Sequence, residues 1–103
     1  MRNVLVRYKI RDDVIGAHEA LIRGVFDELR STAPAGLRYR VHKLADGTSY
    51  VHQAEIDTAD ARNPLAAMES FKRFQQGLDE RCVEPPVAVD LNPVESYEPP
   101  NRG

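Results

Sequence analysis

Five side chains in this sequence can handle a proton or orient an aromatic ligand: Tyr8, His18, Tyr39, Tyr50 and His52. A neutral imidazole can take a proton from a phenol near pH 7, because its own titration lies close by. A tyrosine hydroxyl can hold a ring oxygen by hydrogen bonding. His52, Tyr39 and His18 are therefore the candidate catalytic residues, and Tyr8, Tyr50, Phe71 and Phe74 the candidate ligand-binding residues. The same residues suit a purely structural role. Buried Tyr and His rings often rest at a core edge with their polar tips satisfied by backbone or water. Residue type alone leaves both readings open.

Other chemistries find less support. His18, His42 and His52 lack close ligand spacing, and a zinc or iron site needs three or four convergent ligands, so no metal is expected. Ser49, Ser70 and Cys82 stand in no triad or nucleophile-elbow motif. Cys82 continues an apolar helical stripe and reads as a small buried hydrophobe.

Elements of regular structure must bring the five rings together. Residues 36–57, GLRYRVHKLADGTSYVHQAEID, read as two strands joined at Asp46-Gly47. Asp-Gly is a strong signal for a two-residue type I′ turn. With that turn Lys43 pairs with Tyr50, Val41 with His52, Tyr39 with Ala54 and Leu37 with Ile56, all on one mainly apolar face. A slip of one residue would exchange the faces, so the register is well specified.

Residues 3–11 alternate, with Val4, Val6, Tyr8 and Ile10 on one side, as in a half-buried strand. A helix is expected over residues 14–33, capped by Asp12 or Asp13, with His18, Leu21, Ile22, Val25 and Leu29 in its apolar stripe. Asn63-Pro64 opens a second helix, whose stripe runs Leu65, Met68, Phe71, Phe74, Leu78 and Cys82. Pro85-Pro86 ends it, and Val87, Val89 and Leu91 then mark the core side of a last strand. Residues 1–93 form one domain in this reading, and 94–103 a proline-rich tail.

At 103 residues the chain has the size of one domain, and it can bury roughly two-thirds of its unfolded surface. A net charge of -2 argues against a nucleic-acid partner or an acidic membrane surface. The basic residues of the second sheet face, Arg7, Lys9, Arg38 and Arg40, lack the base-stacking aromatics of RNA-binding sheets, because the strand tyrosines point the other way. One cysteine permits no intrachain disulfide and fits a reducing cytoplasm. No apolar run nears the ~20 residues that span a bilayer.

The element order β-α-β-β-α-β is that of an α+β, ferredoxin-like fold: a four-stranded antiparallel sheet with two helices on one face. The chain resembles the dimeric α/β-barrel superfamily, and within it the antibiotic biosynthesis monooxygenase-like (ABM) group. The resemblance is carried by the hairpin above, by ESFKRFQQGL and by PPVAVDLNPV, and it spans residues 3–94. It implies a homodimer whose sheets meet as a dimeric α/β barrel, with a small-molecule pocket between helices and sheet. It also implies oxidation of an aromatic or quinol-like molecule without metal, flavin or other cofactor. Other members degrade haem, and many have no known activity. This sequence departs from the haem degraders in having no tryptophan, no histidine in the second helix, and Val6 where they carry a functional asparagine. Two readings follow: a cofactor-independent monooxygenase, or a non-catalytic dimeric domain that binds a ligand or partner.

Overall fold

A computed structural model describes residues 1–101. Strand β1 (Arg2–Ile10) leads into helix α1 (Ile15–Thr32), and the hairpin strands are β2 (Leu37–Lys43) and β3 (Ser49–Ile56). A 3₁₀ turn (Pro64–Ala67), two short helices α2 (Glu69–Gln75) and α3 (Leu78–Arg81), and strand β4 (Cys82–Asp90) complete the fold. The strands form one antiparallel sheet in the order β2-β3-β1-β4. This is the expected ferredoxin-like α+β arrangement. The core lies between sheet and helices, around Tyr8, Ile10, Val25, Tyr50, Leu65, Met68 and Phe74. No helix of the described residues is long and apolar enough to cross a membrane.

The β2–β3 register is the expected one, from Leu37 opposite Ile56 to Lys43 opposite Tyr50. The turn is not. Type I′ needs positive φ at both central residues, but only Gly47 has it (φ 78°). Gly47 N–H donates to Leu44 O, and Leu44 N–H to Ser49 O, which makes a longer loop. The Asp46 carboxylate decides the matter by accepting from the backbone of Thr48 and Ser49 and from Ser49 Oγ. Those bonds hold its pKa down at about 2.

Three further expectations are corrected. Helix α1 starts after Val14, with no side-chain cap from Asp12 or Asp13; Asp13 pairs instead with Arg11 at 3.2 Å. The second helix is not continuous. Asn63 does cap the 3₁₀ turn, accepting from Leu65 N–H, but the chain breaks at Gln76-Gly77. Cys82 therefore begins β4 rather than ending a helix. The last strand starts before Pro85-Pro86, and as an edge strand it tolerates both prolines. Its pairing with β1 shifts register near Lys9, which puts Val87 opposite Arg7 and Val89 opposite Leu5. Both valines therefore face away from the helices, exposed, instead of entering the core. Of the proline-rich tail, 94–101 forms no helix or strand, and Val94 and Tyr97 are exposed; its last two residues lie outside the described ones.

Candidate active site

The sheet register lines up three of the candidate rings. Tyr8 of β1 stands beside Tyr50 of β3; His52 lies two residues along β3; Tyr39 of β2 is opposite Ala54, two residues further. Tyr8, His52 and Tyr39 thus run diagonally over three strands on the helix-covered face. Diagonal neighbours lie about 7–8 Å apart at the backbone, within reach of long ring side chains. The small Ala54 and the aliphatic Val6 and Val41 occupy the other positions and leave the rings room to lean together.

Their polar tips meet. Tyr39 Oη lies 2.5 Å from His52 Nδ1, and Tyr8 Oη lies 2.6 Å from His52 Nε2. The same Tyr8 hydroxyl is 2.6 Å from His18 Nε2, and Arg81 Nε donates to His18 Nδ1 at 3.1 Å. One hydrogen-bonded chain therefore joins Tyr39, His52, Tyr8, His18 and Arg81. His18 is completely buried, Tyr8 is 2% exposed and His52 6%. Phe74 packs on both imidazoles, with ring centroids 5.4 Å from His18 and 5.3 Å from His52.

Burial governs the ionisation of these groups. It lowers His18 to about 4, helped by the positive charge of Arg81. It lowers His52 to about 3, with His18 adding to the effect. Both rings are neutral near pH 7. Burial also raises Tyr8 and Tyr39 well above an ordinary phenol.

The chain borders a cavity of about 400 Å³. Val4, Val6, Ala54 and Ile56 form its sheet side, and Leu65, Phe71, Phe74 and Leu78 its helix side. Tyr8, Tyr39 and His52 enter the same wall, and polar groups are supplied by Arg2, Asn63, Gln75 and Asp79. A mostly apolar, partly aromatic space with a few convergent polar groups is the usual form of a small-molecule site.

The structure thus gathers Tyr8, Tyr39, His52, Phe71 and Phe74 around one space. His18 does not line the cavity and joins them through its hydrogen bond to Tyr8 and its ring contact with Phe74. Tyr50 is set apart. Its hydroxyl donates to Glu19 at 2.6 Å, and Lys43 meets the same carboxylate at 2.9 Å. Burial, and then the Glu19 carboxylate, raise the Tyr50 phenol. Among the described residues no group of His, Cys, Asp or Glu could hold a metal ion.

Arg81 is the member that sequence reasoning missed. Helical spacing puts Arg81 beside the apolar stripe, near Leu78 and Phe74, but does not say what its guanidinium meets. Gly77 takes up the left-handed conformation (φ 77°), and α3 then turns Arg81 inward. There it also donates to Phe74 O at 2.6 Å and Gln76 O at 3.1 Å, and stacks on Phe74. The available signal was Gly77 itself, since glycine just after a helix is a common stop. Gly77→Ala is expected to lower stability by about 1 kcal/mol, because a left-handed backbone is costly for an L side chain. The added Cβ would lie 3.5 Å from Arg81 Nη1, an ordinary contact, so the cost resides in the backbone. Urea titration would check it, and an unchanged midpoint would mean that the break does not depend on glycine.

No protein-family model and no curated protein matches the sequence. Solved structures do share its fold. An antibiotic biosynthesis monooxygenase superposes with a TM-score of 0.76 at 20% identity, covering 92% of this chain and all (100%) of its own. A protein from Mycobacterium tuberculosis gives 0.75 at 21% identity, over 94% of this chain and 98% of its own. A variant of SnoaB, a cofactor-independent oxygenase from Streptomyces nogalater, gives 0.66 at 16% identity, over 92% and 94%. The chain thus shares the fold of antibiotic biosynthesis monooxygenase structures, which is the fold that the sequence resemblance implied.

Proposed function

We propose that the protein is a homodimeric, cofactor-independent oxygenase of a small aromatic or quinol-like molecule. The observation that carries this reading is the buried chain of Tyr39, His52, Tyr8, His18 and Arg81 opening on an apolar cavity of about 400 Å³. That volume admits a flat molecule of two or three rings, with Phe71 and Phe74 to pack on it. Tyr39 and His52 can touch a bound ring, whereas His18 acts as a positioning residue through Tyr8. The reaction closes without an external reductant. A ring CH₂ and O₂ give a ring C=O and water, and the substrate supplies all four electrons. The likeness in fold to an oxygenase described as cofactor-independent supports this class. The homodimer is supported by the second sheet face, where Leu5 lies beside the exposed Val89, and Arg7 between Val51 and the exposed Val87, a partly apolar surface that a second copy would cover.

The alternative is a non-catalytic dimeric domain that holds a ligand or partner. It is favoured by the state of His52, whose two ring nitrogens are both already bonded and which burial makes a weak base. Oxygen uptake with a panel of phenols, quinols and anthrone-like compounds separates the two. Reproducible uptake above an unfolded control is expected and would end the non-catalytic reading. His52→Ala and Tyr39→Phe should then each lower kcat/KM by about a hundredfold. Unchanged turnover in both variants would mean that the site lies elsewhere.

A further inference from the structure

The five-membered chain has one self-consistent arrangement of protons. Arg81 Nε can only donate, and it donates to His18 Nδ1 at 3.1 Å. The His18 proton therefore sits on Nε2, which gives it to the Tyr8 hydroxyl at 2.6 Å. Tyr8 has a single proton, and it is left to bond His52 Nε2, also at 2.6 Å. His52 must then carry its own proton on Nδ1 and donate it to Tyr39 Oη at 2.5 Å.

Other arrangements set donor against donor. A cationic His18 would point a proton at the Arg81 N–H. A cationic His52, with His18, would aim two donors at Tyr8 and leave the Tyr8 proton without an acceptor. Reversing the whole chain would again oppose a His18 Nδ1–H to Arg81. With His52 as its donor, Tyr39 keeps its own proton, which has no partner among the described residues. Tyr39 stands in the cavity wall.

We infer that Arg81 is a positioning residue that sets the direction of this chain, so that Tyr39 presents a hydrogen-bond donor to the cavity and selects a ligand bearing an acceptor oxygen on a flat ring system. The inference rests on the cavity being a ligand site, as proposed above. The acceptor is a carbonyl or the oxyanion of an enolate or phenolate. A pre-oriented donor is worth most where negative charge gathers on the oxygen it faces. The arrangement also changes the part expected of His52. With both nitrogens committed, His52 orients Tyr39 and takes no proton directly from the ligand.

The test has two arms. Long-range proton–nitrogen NMR of protein carrying isotope-labelled histidine distinguishes protonated from bare ring nitrogens. At about pH 7 His18 should be protonated on Nε2 and His52 on Nδ1. The opposite tautomer on either ring would overturn the assigned direction. In Arg81→Met the constraint is gone and both rings should populate both tautomers; single, unchanged tautomers would remove Arg81 from the role. Should that variant fail to fold, the wild-type spectrum still decides the direction. The second arm compares α-tetralone with tetralin, which lacks only the carbonyl, by titration calorimetry. The ketone should bind about tenfold tighter, equivalent to one good hydrogen bond, and Tyr39→Phe should close the gap. Equal affinities in the wild type would overturn the acceptor selection and leave the cavity reading standing. Binding of neither compound would overturn the ligand site and the selection together, while the tautomers judge Arg81 on their own.

Discussion

Acidification from about pH 7 to about pH 5 is expected to cost the fold about 3 to 4 kcal/mol, because two buried histidines cannot take up protons that the unfolded chain accepts. An imidazole in the unfolded chain titrates near 6.5, whereas His18 in the fold stays neutral down to about 4 and His52 down to about 3. Between these values the unfolded state binds more protons, so stability falls as pH falls. The loss starts near pH 6.5, and continues to about 4 for His18 and about 3 for His52. In the middle of this window two uncompensated protons give a slope approaching about 2.7 kcal/mol per pH unit. Carboxylates do not confuse the result. Glu19 is held low by its bonds to Tyr50 and Lys43, Glu28 by its bonds to Ser70, and Asp46 by its bonds to Ser49 and Thr48, so their contributions begin to fail only as pH falls through the ordinary carboxylate range, below the span from pH 7 to 5. A domain of this size has about 5 to 15 kcal/mol in total, so the melting temperature should drop on the order of 15 °C. Urea unfolding across the range measures the slope directly. A flat profile would mean that the two imidazoles are not held neutral.

Tyr8→Phe should destabilise the protein by about 2 to 4 kcal/mol, although it removes one oxygen atom and leaves no cavity of consequence. That oxygen makes two bonds of 2.6 Å, so its loss orphans a donor, His18 Nε2–H, and an acceptor, His52 Nε2. Both lie in groups at most 6% exposed, where water cannot readily replace the hydroxyl. The ring contacts of Tyr8, including the stack on Tyr50 at 5.7 Å, survive in phenylalanine. The substitution thus isolates the hydroxyl from the packing. A double-mutant cycle with His18→Leu should show strong coupling, since the His18 Nε2–H that Tyr8→Phe orphans is absent from the double variant, which therefore leaves fewer orphaned groups than the two single variants added together. A Tyr8→Phe protein within about 0.5 kcal/mol of wild type would show that the hydroxyl does not join the two rings.

Much of this architecture is written locally. Alternation in residues 3–11 and 36–57 placed Tyr8, Tyr39, Tyr50 and His52 on one sheet face, because a strand turns its side chains over with a period of two. The hairpin register followed from the same alternation and survived an error in the turn, since a one-residue slip would have carried the apolar set into water. The stripe of α1 likewise placed His18 and Val25 inward, where both are buried.

Tertiary structure decided what these residues do to one another. Periodicity puts a ring on a face but does not say which tip it meets. That Tyr50 turns to Glu19 while Tyr8 bridges two histidines depends on how α1 docks across the sheet. Strand β4 took the opposite phase to the one its valines implied, because pairing with β1 and the register shifts near Lys9 outweighed the burial of two side chains. Arg81 became part of the site through a single left-handed residue, Gly77, in a stretch whose apolar spacing reads as unbroken helix. The pattern of apolar residues is a property of each segment and can be read along the chain. The direction of a buried hydrogen-bond chain belongs to groups from five separate elements, and only their packing brings it into being.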